Sequence, residues 1–301
     1  MGEDRSVSAT TLGRLASKYY LRLDTAARFH ALADRETISA DGILETVAGA
    51  GEFHSVSARQ SEADAVATVL SDAGPDLADG PRKVLAILQA AMDDATPADL
   101  RSDAWIIRQN ALRLLSALRE FLAAFAGPRA ANLARRVEAR VEHGVPRNAV
   151  GLTAVDGIGP TRARTLATGG LHSPADVVDA GAAELRRAGL SDGVAARIVE
   201  NARSFPAIDV SWGAFPDAIA PGDSRMCEVT VRNAGGGASV GIRVTVNDVE
   251  MSATETYLGD SATLPVGVFG ADADELEFVV EVTFPDAPLH PVQATRTVAV
   301  E

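Results

Sequence analysis

Two glycines one residue apart mark the stretch of this chain best suited to bind a ligand, Leu152–Leu166. Gly157 and Gly159 permit backbone conformations that other residues avoid, and Ile158 between them can enter the apolar seam of two helices. Pro160 follows, and proline is favoured at the first position of a helix because its missing N–H would have had no partner there. The spacing therefore predicts a helix-hairpin-helix motif.

Such a hairpin directs free backbone N–H groups toward solvent at the positive end of a helix dipole. A phosphate can bind there without any reading of base identity. Thr161 falls in the first turn of the second helix, and Arg162 and Arg164 lie within a turn of the hairpin as possible phosphate partners, whereas Asp156 opposes an anion. The alternative, which the sequence leaves open, is a compact connector between two domains.

A second candidate site lies on a long helix, predicted to run from Pro97 to about Phe125. Arg108 and Arg119 are 11 positions apart, which is close to three helical turns, and Trp105 and Leu112 are interleaved with them. Arginines and an aromatic side chain on one exposed line can bind phosphates and stack bases without reading sequence. The alternative is that Trp105 belongs to the core and that the arginine stems only cover apolar surface.

The distribution of charge favours the same region. The net charge is −13, and only Lys18 and Lys83 are lysines, a composition that favours a salt-loving, haloarchaeal source in which surface charge keeps the protein hydrated. Residues 101–165 nevertheless hold 11 arginines against 5 acidic residues. Clustered positive charge is the usual footprint of nucleic-acid binding, and a solvated helix face is the alternative.

Length and composition limit the class of protein. The 301 residues, of which 47% are apolar, are enough for about two or three domains. No apolar run approaches the roughly 18 residues that a membrane helix needs, and the polar, acidic start is not a secretory signal. The single cysteine excludes an internal disulfide, and five scattered histidines do not favour a zinc cluster. We therefore expect a cytoplasmic protein without membrane contact, metal or cofactor.

The apolar period divides the chain into a helical part and a strand part. Helices, among them Ser61–Ser71 and Arg129–His143, precede residue 205, and apolar residues alternate afterwards. The predicted strands are Ala207–Trp212, Arg225–Arg232, Val240–Val246, Glu250–Leu258, Thr263–Val268, Glu277–Phe284 and Gln293–Val300. The predicted fold class is multidomain α+β: an all-α helical bundle with a long central helix (1–143), a helix-hairpin-helix module (144–205) and an immunoglobulin-like antiparallel β-sandwich (206–301).

Motifs of the common enzymes are missing from the sequence. It contains no Gly-Lys-Ser/Thr phosphate loop, no Gly-x-Ser-x-Gly and no His-Glu-x-x-His. Asp93 and Asp94 are adjacent carboxylates, but neighbouring residues on a helix point apart. We therefore predict that this chain is not an enzyme.

The first fifth of the chain resembles a known module. Leu12–Leu21, with Thr25 and Phe29, is similar to the start of the C-terminal module of Ski-two-like superfamily-two helicases, often called the Sec-sixty-three-type domain. Ile43–Phe53, a helix that ends in an acidic-aromatic pair, resembles the next signature of that family. The long helix, the helix-hairpin-helix and the β-sandwich then follow in the family's order, so that the likeness covers nearly the whole chain.

The resemblance implies a role as an accessory module. In these helicases the long helix lies against the single strand that leaves the motor, and Arg108, with Trp105 and Arg119, would take that place here. The hairpin would guide the strand's backbone. The motor domains that precede such a module are not in this chain, so we expect it alone neither to hydrolyse ATP nor to unwind a duplex.

Two hypotheses follow about partners. The first is a sequence-tolerant binder of single-stranded DNA or RNA that serves a helicase motor in cis or in trans. The second is a protein-interaction scaffold that docks on or regulates a helicase or another partner, which the acidic β-domain favours. The candidate nucleic-acid-binding residues are Trp105, Arg108, Leu112, Arg119, Gly157, Ile158, Gly159, Thr161, Arg162 and Arg164.

Overall fold

The computed structural model describes residues 8–70, 77–270 and 273–301. The chain forms two compact units, one that ends at Arg147 and one that begins at Asn148. No helix within these described ranges is long and apolar enough to span a bilayer.

The first unit is helical. Its α-helices are α1 (Thr11–Lys18), α2 (Leu23–Ala33), α3 (Ala40–Ala48), α4 (Ala63–Leu70), α5 (Asp79–Met92), α6 (Arg101–Phe125) and α7 (Pro128–His143). The predicted helix Ser61–Ser71 corresponds to α4. Its last predicted residue, Ser71, lies outside the described residues. A short 3₁₀ turn, Ala98–Leu100, precedes α6, so the α-helix begins four residues later than Pro97.

The long helix α6 is the centre of the first core. Ile107, Ala111, Leu114, Leu118 and Leu122 recur at the helical period, and all five are buried. Helices α2, α3, α5 and α7 each pack against other helices of this unit, and their apolar side chains join the same core. The apolar stripe therefore fixes which side of α6 remains available to solvent.

The two signature segments of the resemblance meet in this unit. The Thr25 hydroxyl donates to the Glu52 carboxylate at 2.5 Å and accepts from the Gly51 N–H at 2.9 Å. The other Glu52 oxygen accepts the Arg22 N–H at 3.0 Å. Phe29 and Phe53 are both buried. Thr25 and Glu52 thus satisfy each other in a partly buried place, and this explains why an acidic residue follows Gly51.

The second unit begins with short helices. A 3₁₀ segment, Arg147–Ala154, is followed by α8 (Pro160–Thr168), α9 (Pro174–Arg187) and α10 (Asp192–Ala202). Gly181 interrupts α9 with a φ of +67°, which kinks the helix.

A β-sandwich completes the second unit. Its strands are β1 (Ile208–Gly213), β2 (Ala218–Ile219), β3 (Ser224–Asn233), β4 (Ala238–Val246), β5 (Val249–Leu258), β6 (Ser261–Phe269), β7 (Glu275–Thr283) and β8 (Val292–Val300). One sheet has the order β1-β3-β6 and the other β2-β8-β7-β4-β5. The inward side chains of alternating positions, such as Val229 and Val280, form the second core.

The predicted fold class is confirmed, with one addition to the sandwich. All seven predicted strands are present within a few residues of their predicted bounds. The two-residue strand β2 was not predicted, and it pairs in parallel with β8, so that this sheet is mixed rather than antiparallel.

Asn233 and a glycine-rich loop join the sandwich to the end of α10. The Asn233 carboxamide accepts the N–H of Ala207 at 2.9 Å and donates to the carbonyl of Gly236 at 2.9 Å. The Gly236 N–H in turn donates to the Phe205 carbonyl at 2.9 Å. A Cβ on Gly236 would overlap the Ser204 carbonyl, so only glycine lets the backbones approach this closely.

Candidate nucleic-acid interface

The hairpin has the geometry that the two glycines predict. Gly157 has a φ of +92°, which glycine adopts without a steric cost. The Ile158 N–H donates to the Val155 carbonyl at 2.9 Å, and the Ile158 side chain is buried. Pro160 is the first residue of α8, and the inward side chains of Ala163 and Leu166 are buried. The motif is therefore a closed hairpin with an apolar plug.

Helix α10 supports this hairpin from one side. The Asn201 carboxamide donates to the Asp156 carbonyl at 2.9 Å. A Cβ built on Gly157 would lie 3.1 Å from Ile198 Cγ1, so Ile198 packs directly against the turn. The hairpin is fixed both by its own backbone and by a neighbouring helix, as a preformed binding surface requires.

The open side of the hairpin presents backbone N–H groups. Gly159, Pro160 and Thr161 are exposed, and nothing lies within 4 Å of a Cβ built on Gly159. The first N–H groups of a helix have no intrahelical acceptor, and within the described residues none is found for Thr161 or Arg162. The Arg162 guanidinium donates to the Gly157 carbonyl at 2.7 Å, and Arg164 is half-buried.

The candidate residues of α6 divide into two groups. Trp105 is 70% exposed and does not belong to the core, while Leu112 is half-buried against it. Arg108 donates to the Glu142 carbonyl of α7. Arg119 Nε lies 3.4 Å from Glu138 of α7, and the Arg119 side chain is only 21% exposed. Trp105 is thus open to a ligand, whereas the two arginines face α7.

Other arginines of the basic segment are also engaged within the first unit. Arg135 donates to Glu138 at 3.1 Å, so that Glu138 forms ion pairs with two arginines. Arg140 bonds the Val145 carbonyl at 3.1 Å and Asp93 at 3.2 Å. Positive charge that appears clustered along the sequence is therefore partly used to connect helices, and the field that it presents to a phosphate is weakened accordingly.

Sequence reasoning missed a charged cluster at the start of α6. The Lys83 side chain is 1% exposed, and its ammonium bonds Asp103 at 2.5 Å, Glu62 at 2.9 Å and the Ser57 carbonyl at 3.3 Å. Lysine is almost never fully buried unless it is paired, so its place in the apolar stretch of α5 was the available signal. Its three partners come from separate segments, which only the fold brings together.

The pKa values in this cluster follow from the pairing. Burial lowers the pKa of Lys83, but the hydrogen bonds and charges of Asp103 and Glu62 outweigh burial and raise it above its usual value. The hydrogen bond from Lys83 holds the pKa of Asp103 below its usual value. Burial raises the pKa of Glu62, yet the Arg59 N–H and Lys83 together lower it. All three groups are charged at neutral pH.

Two kinds of site are therefore available in the described ranges: an amide-lined hairpin in the second unit, and an exposed tryptophan beside a charged cluster in the first. No group of three or more His, Cys, Asp or Glu side chains suited to a metal ion occurs among the residues that the structure describes. The described residues form a multidomain α+β protein, with a helical bundle in the first unit and short helices followed by a β-sandwich in the second.

Comparison with known protein families identifies the family of this chain. The model of the Sec63 Brl domain matches residues 9–298. Because this match spans nearly the whole chain, the protein belongs to the Sec63 Brl domain family.

Curated relatives share a smaller part of the chain. The activating signal cointegrator 1 complex subunit 3 of Gallus gallus is 32% identical over 120 residues, which are 38% of this chain and 5% of that protein. The subunit of the same name from Homo sapiens is 31% identical over the same length. This chain therefore corresponds to a small part of these relatives.

Among solved structures, a CARDB domain from Pyrococcus furiosus is similar at 22% identity and a TM-score of 0.29, over 32% of this chain and 90% of that one. At this TM-score the likeness supports no inference about function.

Proposed function

We propose that this protein is a non-catalytic accessory module of a Ski-two-like helicase, and that it binds single-stranded nucleic acid without sequence preference. The observation that carries the proposal is the hairpin, in which α10 supports a turn whose open side presents N–H groups. Backbone N–H groups at a helix start recognise phosphate and are indifferent to the base. Membership of the Sec63 Brl domain family and the resemblance to helicase modules support the same role.

Trp105 supplies a second element of the proposal. An exposed tryptophan on a long helix can stack on a base of any identity, and stacking contributes about 1–3 kcal/mol per base. Arg108 and Arg119 support binding less directly, because their bonds to α7 hold them close to the helix surface. Leu112 would pack beneath the strand, and Arg162 and Arg164 would meet its phosphates.

The proposed partners are single-stranded DNA or RNA and a helicase motor, in cis or in trans. The proposed domains are 1–143, 144–205 and 206–301. The second of them, from Asn148 onward, and the third belong to one compact unit. The acidic, lysine-poor composition supports a haloarchaeal source, so binding should be measured up to high salt. A cytoplasmic location is also part of the proposal.

The alternative is a protein-interaction scaffold that docks on or regulates a helicase. It is favoured by the internal pairing of Arg119, Arg135 and Arg140, which leaves less free positive charge than the sequence predicts. The acidic β-sandwich also favours a protein partner over a nucleic acid.

Fluorescence anisotropy of a labelled oligothymidylate of about twelve nucleotides, across a potassium chloride series, tests the proposal. Gly159→Ala places a methyl group before the open N–H groups without a clash, and Gly193→Ala in α10 is the matched control, since nothing lies within 4 Å of either Cβ. Trp105→Ala removes a side chain that is 70% exposed, and Tyr257→Ala, at 71%, is its control on β5.

We expect affinity that falls with salt in proportion to the phosphates contacted. Gly159→Ala should weaken binding about tenfold, as the loss of hydrogen bonds to a charged group implies, and Trp105→Ala by about 1–3 kcal/mol. The two controls should bind like the unaltered protein. Absence of binding at every salt concentration at which the protein is folded would reject the proposal in favour of the scaffold.

A further inference from the structure

A pocket opens beside the start of α6. Its volume is about 280 Å³, close to the lower end of the roughly 300–1,000 Å³ of small-molecule sites. The lining residues are Ser55, Val56, Ser57, Arg59, Asp103, Ile106 and Ile107. None of them belongs to the hairpin or to the line of Trp105, Arg108 and Arg119.

The buried Lys83 holds the walls of this pocket together. Its ammonium bonds the Ser57 carbonyl on one wall and the Asp103 carboxylate on the other, and Glu62 beneath them balances its charge. Glu62 also accepts the Arg59 N–H at 2.7 Å, which anchors the end of the 54–59 loop. A Cβ on Gly80 would overlap the Val56 carbonyl, so glycine lets α5 support this loop closely. The pocket is therefore preformed.

The lining combines an apolar surface with a carboxylate and a guanidinium of opposite charge. Val56, Ile106 and Ile107 form the apolar part, and Ile106 is 59% exposed at the rim. The Asp103 carboxylate is bonded by Lys83 at Oδ2 and accepts the Ser102 hydroxyl at Oδ1, at 3.3 Å, and while it is ionised its remaining lone pairs can only accept hydrogen bonds. The Arg59 guanidinium is exposed, lies 3.8 Å from Glu62 and can only donate.

We propose that this pocket takes one unstacked nucleobase of the bound strand, and that it adds a preference for guanine at this one position to binding that is otherwise indifferent to sequence. The proposal rests on the proposed function, because it gives that strand a second point of contact. Unstacked bases are recognised by hydrogen bonds to their edges together with packing on their faces. The isoleucine surface suits the face of a base, and Asp103 and Arg59 suit its edge.

Guanine is favoured by the pattern of donors and acceptors. Its Watson–Crick edge carries two adjacent donors, N1–H and N2–H₂, which a carboxylate can accept side by side. Its other edge carries O6 and N7, which an arginine contacts well. Adenine and cytosine offer one donor next to an acceptor that would face the carboxylate, and thymine offers one donor between two carbonyls.

The same chemistry disfavours an apolar side chain of a protein partner as the occupant. Such a side chain would displace water from the Asp103 carboxylate and the Arg59 guanidinium and would offer no hydrogen bond in its place. Only Lys83, Ser102 and Glu62 would remain as their partners. A base satisfies both groups and covers the apolar wall as well.

Anisotropy with three oligonucleotides of equal length tests the inference: oligothymidylate, and the same strand with one central guanine or one central adenine. We expect the guanine strand to bind at least fivefold more tightly than the other two. Ile106→Ala and Asp103→Asn should remove this preference while binding to oligothymidylate is kept. Val249→Ala is the matched control, because Val249 is 64% exposed on β5.

The outcomes separate this inference from the proposed function. If oligothymidylate binds and guanine brings no gain, the nucleobase pocket is wrong and the proposed function stands. If no strand binds, the proposed function fails, and titration with guanosine monophosphate then decides the pocket: saturable binding that Ile106→Ala abolishes supports it, and no binding rejects it. Ile106→Ala decides the result if thermal melting shows that Asp103→Asn is unfolded.

Discussion

The two lysines of the chain occupy opposite environments. Lys18 is exposed on α1 and pairs with Glu120 at 3.0 Å, whereas Lys83 is buried between Glu62 and Asp103. An exposed pair is screened by water and contributes little. A buried lysine differs, since its loss leaves the Glu62 carboxylate without the ammonium in a place that water does not reach.

Lys83→Met should therefore destabilise the first unit strongly. Removal of one partner from a buried ion pair costs about 3–5 kcal/mol, because the buried Glu62 carboxylate then loses the ammonium and keeps only Arg59 as a partner. Urea unfolding followed by circular dichroism at 222 nm measures the change. Lys18→Met is the matched control and should leave the midpoint nearly unchanged. Equal shifts for the two variants would contradict the role assigned to Lys83.

The same cluster predicts how stability depends on pH. The pKa values of Glu62 and Asp103 are lowered by folding, so the unfolded chain binds protons at a higher pH than the folded one. Their contribution is complete above the ordinary carboxyl pKa of about 4 and is lost as the pH falls through the folded values. The raised pKa of Lys83 places its own loss at strongly alkaline pH.

The acid side of this dependence can be isolated with the Lys83→Met variant. Without the ammonium the two carboxyls gain less from ionisation, and once they are protonated they no longer need a cation. The difference in unfolding free energy between the unaltered protein and Lys83→Met should therefore narrow as the pH falls from about 5 to 3. A constant difference over this range would show that the ion pairs do not carry the effect.

Among the elements, the hairpin depends on Gly157 more than on Gly159. Gly157 has a φ of +92° and faces Ile198, while Gly159 has a φ of −79° and an open surrounding. Gly157→Ala should cost about 1–2 kcal/mol for the left-handed conformation alone, with Ile198 crowding in addition. Urea unfolding followed by Trp212 fluorescence measures it. Gly159→Ala should remain within about 0.5 kcal/mol, and a larger loss there would show that the turn is not open.

The sequence period of the apolar residues predicts whether a segment is a helix or a strand, but it does not predict which other segments pack against it. The predicted strand Arg225–Arg232 lies within β3 because alternation along one strand reflects burial on one face. The strand β2 has only two residues, too short for any period, and forms only because β8 is beside it. The period also placed Arg119 on the correct helix, but only the fold shows that Glu138 of α7 faces it.

At the scale of the whole molecule, each unit has its own core and its own tryptophan. Trp105 belongs to the first unit, and Trp212 lies in the second, with its ring 5.0 Å from that of Phe215. The long helices belong to the first unit, so circular dichroism reports mainly on it. A Trp105→Phe background leaves Trp212 as a fluorescence reporter for the second unit alone.

In the Trp105→Phe background, a substitution that destabilises one unit should shift only the unfolding transition that reports on that unit. Gly236→Ala forces a Cβ against the Ser204 carbonyl. The clash is with backbone atoms, so no flexible side chain can move away to relieve it. We expect the unfolding free energy of the second unit to fall by about 1–3 kcal/mol, as overpacking typically costs. The change should appear in the unfolding transition followed by Trp212 fluorescence, while the transition followed at 222 nm is largely unchanged. Gly259→Ala has nothing within 4 Å of its Cβ and serves as the control.

Lys83→Met should give the converse pattern, because its partners all lie in the first unit. If either variant moved both transitions together, the two units would unfold as one, and the local cores described here would not be the units of stability.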